Sequence, residues 1–428
     1  MNRRRFLKSA AAGVGLAAFP YMVPRSVLGA EAPSERIVLG FIGCGKQSVH
    51  LLRTFLNSRG TQVVANCDVD RLKLDRNMKI TTDHYAGKGS GDAGVKAYGD
   101  FRELLAREDI DAVVISTPDH WHGLTTVYAA RAGKDVYCEK PLAHNILEGQ
   151  AMVRAVRRYD RVFQTGSMQR SDDKFRHACE LVRNGYIGDI TKVVVNVGGP
   201  PKACDLPGMP TPEYLDWEMW NGPAPARPYH SELSPHISVD IFPHWRSYKE
   251  YGGGGMTDWG AHHFDIAQWG LGMDRNGPVE VIPPDGGDVK VLTYRYANGV
   301  TMVRAGSEEG HGNVNGVLFI GTKGKVEVNR GYLKTWPEEL ARQKIGPSEI
   351  KLYESRNHYV DWLDAIRARR QPICDVEIGH STVVVCLMGN IAYELKRPLR
   401  FDQRRQRFIG DPEANRLMGR TMRSPWRI

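Results

Sequence analysis

Four consecutive glycines, Gly252–Gly255, precede acidic and histidine side chains that could carry out proton transfer. The glycines let the backbone approach a ligand closely before a helix starts. Asp258 and His262 are four residues apart, a spacing that places them on one face of that helix. Asp265 is three residues beyond His262, where it could orient the imidazole ring. Because histidine titrates near neutrality, His262 is predicted to exchange a proton with a substrate hydroxyl.

The same segment leaves a second interpretation open, a metal site. Its ligands would be Asp258, His262, His263 and Asp265. Successive residues of a regular helix do not face one ion without distortion, so the pattern favours a site with no metal.

A glycine-rich turn near the start of the chain has the pattern of a dinucleotide-binding site. Gly43, Cys44 and Gly45 follow an apolar run, and Ser48 stands where a third glycine is usual. Such a turn lets backbone approach a pyrophosphate, and the helix that follows presents unpaired N–H groups and the positive end of its dipole. The pattern alone also fits an ordinary strand–turn–helix unit.

An acidic residue at the end of the next apolar run strengthens that prediction. Asp68 lies 23 residues after Gly45, and a carboxylate there can accept both ribose hydroxyls, which favours NAD over NADP. Arg71 lies nearby and could accommodate a 2′-phosphate, so NADP is the less favoured alternative. Asp68 by itself could also be a helix-capping residue.

Polar residues after two further apolar runs complete the predicted cofactor site, because the carboxyl ends of parallel strands meet at one edge of a sheet. Pro118 keeps the residue before it extended. A lysine at this edge, Lys140, can donate a hydrogen bond to a substrate hydroxyl or relay its proton. The predicted residues here are Ser116, Thr117, Pro118, His120, His122, Glu139 and Lys140.

Together these motifs resemble the Gfo/Idh/MocA oxidoreductase family. The resemblance rests on Thr117-Pro118 with the two histidines that follow, on the run 132–141 ending in Glu-Lys-Pro, and on the glycine run with Asp258 and His262. It extends from about residue 36 to about residue 401. It implies an α/β protein in which an N-terminal Rossmann domain precedes a C-terminal α/β domain built on an open-faced, largely antiparallel sheet.

The resemblance also implies hydride transfer between bound NAD and a secondary hydroxyl of a sugar or glycoside. The catalytic residues would be Lys140, Asp258 and His262. Further side chains are expected near the substrate, although each could instead serve packing, as could the tryptophans around position 220. The expected substrate-binding residues are Gln169, Arg170, Trp245, Arg246 and His263.

Two other functions remain open. One branch of the family consists of glycosidases that oxidise the sugar transiently, eliminate the aglycone, add water and reduce the sugar again. Some other relatives are regulators that lack the lysine and act as dinucleotide or sugar sensors. The presence of Lys140 together with Asp258 and His262 favours an enzyme.

Hydrophobic periodicity suggests how these residues are positioned. Strand-like and helix-like runs alternate over 36–160, as in a parallel sheet covered by helices. Over 161–402, short strands with tight turns predict a substrate and oligomerisation domain, with Asn298-Gly299 as a hairpin turn. A helix near its end could return to the Rossmann domain. Residues 403–428 are predicted to be a polar C-terminal tail.

The N-terminal segment, 1–30, resembles a twin-arginine export signal. The run Arg3–Lys8 is followed by an apolar stretch, Ser9–Phe19, that is too short to span a bilayer. The alternative is a basic start on a buried helix. An export signal implies a periplasmic or cell-envelope protein that passes through the twin-arginine machinery. Because no free nicotinamide pool is expected there, the dinucleotide should be held tightly.

Charge and cysteine content narrow the function classes further. The net charge of +9 includes five basic residues and no acids in the first 30 positions. The remaining surplus is spread along the chain and predicts no nucleic-acid partner. The seven cysteines contain no CxxC pair and are expected to be buried thiols. A small-molecule substrate and a homo-oligomer, which the family often forms, are the expected partners.

Overall fold

The N-terminal part of the molecule is built on a parallel sheet. The computed structural model describes residues 36–88, 94–305 and 315–428, so the predicted export signal lies outside the described residues. The sheet has the strand order β3-β2-β1-β4-β5-β6, that of a doubly wound dinucleotide-binding fold. Its strands are β1 (Ile37–Ile42), β2 (Thr61–Cys67), β3 (Lys96–Tyr98), β4 (Ala112–Ile115), β5 (Asp135–Cys138) and β6 (Phe163–Thr165).

Helices connect these strands and cover both faces of the sheet. The first of them has buried Leu51, Leu52 and Phe55 on one face, which is the spacing of an amphipathic helix against a core. The last strand of this sheet, β6, begins after position 160, so the N-terminal sheet extends slightly past the expected domain boundary. The helices are α1 (Lys46–Leu56), α2 (Arg71–Gly87), α3 (Phe101–Leu105), α4 (Asp119–Arg131) and α5 (Ile146–Arg158).

The C-terminal part contains a second, mixed sheet. In the described part of the chain its order is β13-β12-β11-β7-β10-β9-β8-β14-β15. Only the β7–β10 pair is parallel, so the prediction of a largely antiparallel sheet is confirmed. The strands are β7 (Ile190–Asn196), β8 (Glu280–Ile282), β9 (Leu292–Arg295), β10 (Thr301–Arg304), β11 (Gly316–Gly321), β12 (Lys325–Asn329), β13 (Tyr332–Trp336), β14 (Leu399–Asp402) and β15 (Arg407–Phe408).

The hairpin predicted at Asn298-Gly299 is present. It joins β9 to β10, and Gly299 has φ +87°, a conformation that favours glycine. Helices pack on the inner face of this sheet, where Val193 and Val195 of β7 point, while Val194 faces the other side. The helices are α6 (Asp173–Arg183), α7 (Trp217–Asn221), α8 (Gly255–Asp258), α9 (Gly260–Leu271), α10 (His358–Ala368), α11 (Val376–Leu395) and α12 (Pro412–Arg416).

One helix of the C-terminal half returns to the N-terminal sheet. Trp362 of α10 is fully buried, and its ring lies 5.5 Å from that of Phe55 and 5.7 Å from that of Tyr137. Within the described residues, α11 is the single helix long and apolar enough to cross a membrane, and most of it is buried inside the protein. All seven cysteines are free thiols, six of them buried, as predicted.

The segment beyond position 402 is folded against the N-terminal sheet and its helices. Trp426 is 6% exposed, and its ring lies 4.9 Å from that of Trp121. The guanidinium of Arg420 donates to the carbonyl oxygens of His120 and Glu250, at 3.1 and 2.9 Å. The segment also contains two short regular elements, β15, which pairs with β14 of the C-terminal sheet, and α12. Both are too short to give a periodic sequence pattern.

This packing predicts that the end of the chain contributes to stability. Trp426→Ala should lower the melting temperature, since replacing a buried tryptophan by alanine costs about 3 kcal/mol or more. Ile428→Ala is the matched control, because Ile428 is 39% exposed. Thermal unfolding of both variants tests this, and equal melting temperatures would show that the end of the chain is not anchored through Trp426.

Candidate active site

A cleft opens at the carboxyl ends of β1 and β4, where the order of the parallel strands reverses. It encloses about 1190 Å³ of non-protein space, including its open mouth. Gly43 has φ +90°, and a Cβ there would lie 2.7 Å from the backbone nitrogen of Thr117, so only glycine fits. A Cβ on Gly45 would meet nothing within 4 Å, because that side of the turn faces the cleft. The turn and the N-terminus of α1 therefore form an open cradle for a phosphate group.

Asp68 ties the end of β2 to the glycine turn. One carboxylate oxygen accepts the N–H of Cys44 at 2.5 Å and the other accepts the N–H of Asp70 at 2.8 Å. Burial raises the pKa of the Asp68 carboxyl. Each oxygen retains a further lone pair, and Asp68 lines the cleft, so the carboxylate can still accept ribose hydroxyls.

Two basic residues of α2, which sequence reasoning missed, line the cleft. Lys73 pairs with Asp70 at 2.8 Å, and the Arg76 guanidinium donates to the carbonyl oxygens of Cys44 and Gly45. Arg71, which was expected to lie near a 2′-phosphate, is exposed and outside the lining of the cleft. The i, i+3 spacing of the other two residues was the signal that could have identified them.

The opposite wall of the cleft comes from the C-terminal half of the chain. We call Leu233–Pro243 the covering segment, because most of it lines the cleft mouth. Two lysines bind this segment: the ammonium group of Lys46 forms an ion pair with Asp240 at 2.8 Å, and Lys73 donates to the hydroxyl of Ser234 at 3.0 Å. Three of its apolar side chains remain exposed: Val239, Ile241 and Phe242.

Several predicted cofactor residues do line the cleft, and their residue types fit a dinucleotide. The hydroxyl of Thr117 is buried and has no hydrogen-bond partner among the described residues, so it is available to a bound molecule. Together with the open glycine turn, this orphaned hydroxyl indicates that the cleft is built for a polar ligand. The predicted residues that line it are Gly43, Gly45, Asp68, Ser116, Thr117 and Pro118.

Other predicted cofactor residues make contacts within the chain that stabilise the framework. The hydroxyl of Ser48 accepts from Asn77 of α2 at 3.0 Å, so it packs helix against helix. His120 is fully buried with its ring at 3.0 Å from the carbonyl oxygen of Trp220, and burial lowers its pKa to about 3. The N–H of Cys44 donates to the carboxylate of Asp68.

His122 is also a framework residue. Its two ring nitrogens lie 2.9 Å from the carbonyl oxygen of Thr117 and 2.8 Å from that of Pro141. Burial lowers the pKa of His122 to about 4, so the ring is neutral and donates to one carbonyl at a time. The histidine thereby connects the loops after β4 and β5.

The side chain of Lys140 crosses from the N-terminal half to the C-terminal half of the molecule. Its ammonium group lies 2.6 Å from the carboxylate of Asp258 and 2.9 Å from the carbonyl oxygen of the same residue. Burial alone would raise the pKa of the Asp258 carboxyl, but neighbouring cations, Lys140 first among them, hold the pKa below its ordinary value. Asp258 is therefore a carboxylate at neutral pH. The preceding Glu139 is buried and accepts from Gln47, behind the lysine.

His262 lies in the first turn of α9, next to this ion pair. The histidine is 5% exposed, and its Nδ1 has no hydrogen-bond partner within the part of the chain that is described. Burial, reinforced by the charge of Lys140, lowers the pKa of His262 well below its usual value. The expectation that this histidine titrates near neutrality is wrong, because the ring is removed from water. A neutral ring can accept a proton.

Asp265 does not orient His262. Its carboxylate forms a bidentate pair with the guanidinium of Arg170, at 2.7 and 2.9 Å. Arg170 is 1% exposed and also pairs with Asp274, so its guanidinium is committed to carboxylates of the chain. The ion pair joins the turn Met168–Ser171 to α9.

The side chains proposed as metal ligands are directed to different partners. His263 is fully buried and its ring stacks on Trp259, with 5.7 Å between centroids and 6° between planes. Buried in this way, it is a packing residue and not a substrate contact. In 36–88, 94–305 and 315–428, no group of three or more histidine, cysteine or acidic side chains could hold a metal ion.

Trp245 and Arg246 line the cleft, close to the ion pair. The guanidinium of Arg246 stacks on the Trp245 ring at 4.2 Å, and its Nε lies 3.8 Å from the Asp258 carboxylate. The aromatic rings of Trp217 and Trp220 stack on each other, 4.6 Å apart, in the same apolar cluster as Trp245, and Trp220 also lines the cleft. Most of the aromatic residues in this region are therefore core.

Gln169 connects two groups beside the ion pair. With its amide oriented to satisfy both ends, it donates to the carbonyl oxygen of His262 at 3.1 Å and accepts from Nε of Arg330 at 3.2 Å. Gln169 is 3% exposed, so it positions its neighbours. Arg330 was missed by sequence reasoning because it follows an ordinary strand, with no motif around it.

Asp119, at the start of α4, is a further residue that the sequence did not single out. Burial raises the pKa of its carboxyl to about 8, so the group is protonated at neutral pH. It lies close enough to Arg246 and Asp258 to interact electrostatically with both. The acid therefore adds a neutral donor, and no charge, to this edge of the cleft.

The chain matches family models over most of its length. Residues 37–167 match the model described as "Oxidoreductase family, NAD-binding Rossmann fold". Residues 199–428, more than half of the chain, match the model described as "Oxidoreductase family, C-terminal alpha/beta domain".

Curated relatives match a shorter part of the sequence. A "Glycosyl hydrolase family 109 protein" of Shewanella pealeana is 30% identical over 205 residues, 44% of this chain and 44% of that protein. A protein of the same name from Shewanella amazonensis is 33% identical over 161 residues, 35% of each. The chain thus spans less than half the length of these relatives.

Solved structures share the fold. The WlbA dehydrogenase from Bordetella pertussis, in complex with NADH and UDP-GlcNAcA, has a TM-score of 0.60 and 17% identity, covering 86% of this chain and 99% of that one. The aldose-aldose oxidoreductase from Caulobacter crescentus has a TM-score of 0.57 and 19% identity, covering 86% and 100%. At these identities the likeness describes the fold.

The burial of His262 leads to a titration test. Its side-chain NMR resonances should not shift from about pH 8 to about pH 6, whereas an exposed histidine titrates near 6.5. The signal is assigned as the one missing from histidine-labelled His262→Gln. A midpoint between about 6 and 7 would show that water reaches the ring and that burial does not control its charge.

Proposed function

This chain belongs to the Gfo/Idh/MocA oxidoreductase family, and on that premise we propose that it transfers hydride between tightly bound NAD and a secondary hydroxyl of a sugar or glycoside. The observation that carries the proposal is the Lys140–Asp258 pair with neutral His262 beside it, next to the cleft of an NAD-binding Rossmann domain. When bound, the nicotinamide ring exchanges hydride with the substrate carbon.

The three side chains divide the proton chemistry. Two of the three N–H groups of Lys140 donate to Asp258, so the third can donate to a substrate hydroxyl. Asp258 fixes the direction of that donor and compensates its charge. His262 is neutral and its Nδ1 is unpartnered among the described residues, so it can take the hydroxyl proton as the carbon is oxidised.

The phosphate and ribose contacts come from a different set of residues. Gly43, Gly45 and Asp68 hold the dinucleotide in this proposal, and the covering segment lies across the mouth of the cleft. Because neither Lys140 nor His262 lines that cleft, removing either side chain leaves the cofactor contacts in place.

A closed redox cycle is the second candidate. The curated relatives named glycosyl hydrolase family 109 proteins fit it, because the family resemblance includes glycosidases that oxidise, eliminate, hydrate and reduce the sugar with one cofactor. Both candidates require the same hydride step. Chromatographic analysis of the products from a glycoside panel, with no added cofactor, distinguishes them: released aglycone with unchanged cofactor redox state identifies the cycle.

We further propose that the protein forms a homo-oligomer. The family resemblance supports this, since the open sheet face often packs against another subunit.

The catalytic assignment predicts a loss of turnover without loss of cofactor. Lys140→Met and His262→Ala should each slow hydride transfer about a hundredfold to ten-thousandfold, the usual effect of removing a positioned acid or base. Denatured wild-type and variant proteins should release equal amounts of NAD. Rapid mixing with substrate, followed by the absorbance of the reduced nicotinamide, measures the transfer.

Lys249→Met is the matched control, because Lys249 is exposed and does not line the cleft. It should behave as wild type in both measurements. Near-wild-type transfer by Lys140→Met would reassign this lysine to a packing function. An extract of wild type without dinucleotide would contradict tight retention.

We also propose that the protein is exported to the periplasm or cell envelope by the twin-arginine machinery. The support is sequence alone: Arg3 and Arg4 precede a short apolar run. That pathway carries folded proteins, which suits a chain whose cofactor cleft is formed by both halves of the molecule.

Export predicts a clear effect of the paired arginines. Replacing Arg3 and Arg4 by lysine should retain the protein inside the cell, because lysine does not reproduce the guanidinium geometry. Cell fractionation followed by immunoblotting measures the distribution, with Lys8→Arg as a charge-neutral control. Unchanged export of the double variant would contradict the proposal.

A further inference from the structure

Arg330 occupies a tightly determined backbone position beside the catalytic groups. It follows β12 and, with Gly331, forms a two-residue turn, since Asn329 pairs with Tyr332 across the hairpin. Gly331 has φ +90°, and the side chain of Asn329 accepts the N–H of Arg330 at 2.7 Å. The point from which the arginine side chain extends is therefore fixed.

The guanidinium group is held as firmly as the backbone. It stacks on the ring of Trp259 at 4.9 Å, and that ring in turn lies parallel to buried His263. Its Nε donates to Gln169, which donates to the carbonyl oxygen of His262. A cation is thus preorganised next to the proposed proton acceptor, and within the described residues its terminal N–H groups have no hydrogen-bond partner.

No carboxylate lies within ion-pair distance of Arg330 in the described chain, unlike Arg170, which has two. Asp258 is the acid that interacts electrostatically with Arg330. Its carboxylate already lies 2.6 Å from the ammonium group of Lys140 and 3.8 Å from the guanidinium of Arg246. Asp119 adds no negative charge here, because its carboxyl is protonated. Because Asp258 is already paired in this way, Arg330 has no carboxylate of its own in the described chain.

We propose that Arg330 binds a carboxylate of the substrate, so that the sugar handled by this site is an acidic one, a uronic acid or a glycoside of one. The inference rests on the hydride-transfer function proposed above and specifies its substrate class. With Nε committed to Gln169, the terminal edge of the guanidinium offers two parallel donors, which match the two oxygens of a carboxylate. A single guanidinium suits a monoanion better than a dianionic phosphate.

Binding measurements on matched ligands test this directly. The probes are methyl hexosides in the gluco, galacto and manno series, each paired with the corresponding methyl hexuronide and methyl hexoside 6-phosphate. Calorimetric titration of the NAD-loaded protein gives the dissociation constants without requiring turnover. In at least one series, wild type should bind the uronide about tenfold to a hundredfold more tightly than the hexoside, as a charge-assisted hydrogen bond predicts.

The variants then assign the preference to Arg330. Arg330→Gln should abolish the preference for the uronide, and Arg330→Lys should restore only part of it, since lysine keeps the charge but lacks the fork. Lys334→Gln removes an equal charge from an exposed position on the same hairpin and should keep the wild-type preference. Melting temperatures confirm that each variant is folded.

The outcomes separate this inference from the proposed function. Equal binding of hexoside and uronide by wild type in every series, or a preference that persists in Arg330→Gln, overturns the inference. Tighter, Arg330-dependent binding of the 6-phosphate overturns the choice of carboxylate. A uronide that binds through Arg330 but never changes the redox state of the bound cofactor supports the anion site and contradicts hydride transfer.

Discussion

The ion pair between Lys140 and Asp258 is the interaction on which the candidate site depends. Lys140 extends from the loop after β5, and Asp258 ends α8, so the pair joins the two halves of the molecule at 2.6 Å. Both side chains are partly withdrawn from water, which makes loss of one partner costly to the other. The pair therefore fixes where the C-terminal half stands relative to the cofactor cleft.

The cofactor cleft shows the same dependence on both halves. The glycine turn and Asp68 are local features of the first two strands, and they can form wherever a parallel sheet forms. The covering segment lies more than 150 residues after Asp68 in the chain, and it contacts the N-terminal half through Lys46 and Lys73. A cleft closed by distant residues is complete only in the folded chain, and this matches the requirement that a cofactor be retained.

Pairing and burial, rather than residue type, separate framework residues from candidate catalytic ones. Arg170 is neutralised by two carboxylates and joins two elements, whereas Arg330 stacks on Trp259 and has no carboxylate within ion-pair distance in the described chain. His120 and His262 each have a buried Nδ1 without a hydrogen-bond partner in the described chain, but His120 also lies against a backbone carbonyl oxygen, whereas His262 lies beside the Lys140–Asp258 pair. Proximity to that ion pair marks His262 as the candidate catalytic residue.

The sequence by itself determined the fold class, the glycine turn, the acidic residue after β2, and the motifs that contain Lys140, Asp258 and His262. These features are local: periodicity, turn residues and short motifs depend on neighbours within a few positions. It did not determine which distant cation pairs with Asp258 and which with Asp265, that Arg330 and Asp119 join the site, or that residues 403–428 pack on the folded chain. Those outcomes depend on contacts between residues far apart in the chain. Desolvation, which makes His262 neutral and Asp119 protonated, arises only when the tertiary structure excludes water from both.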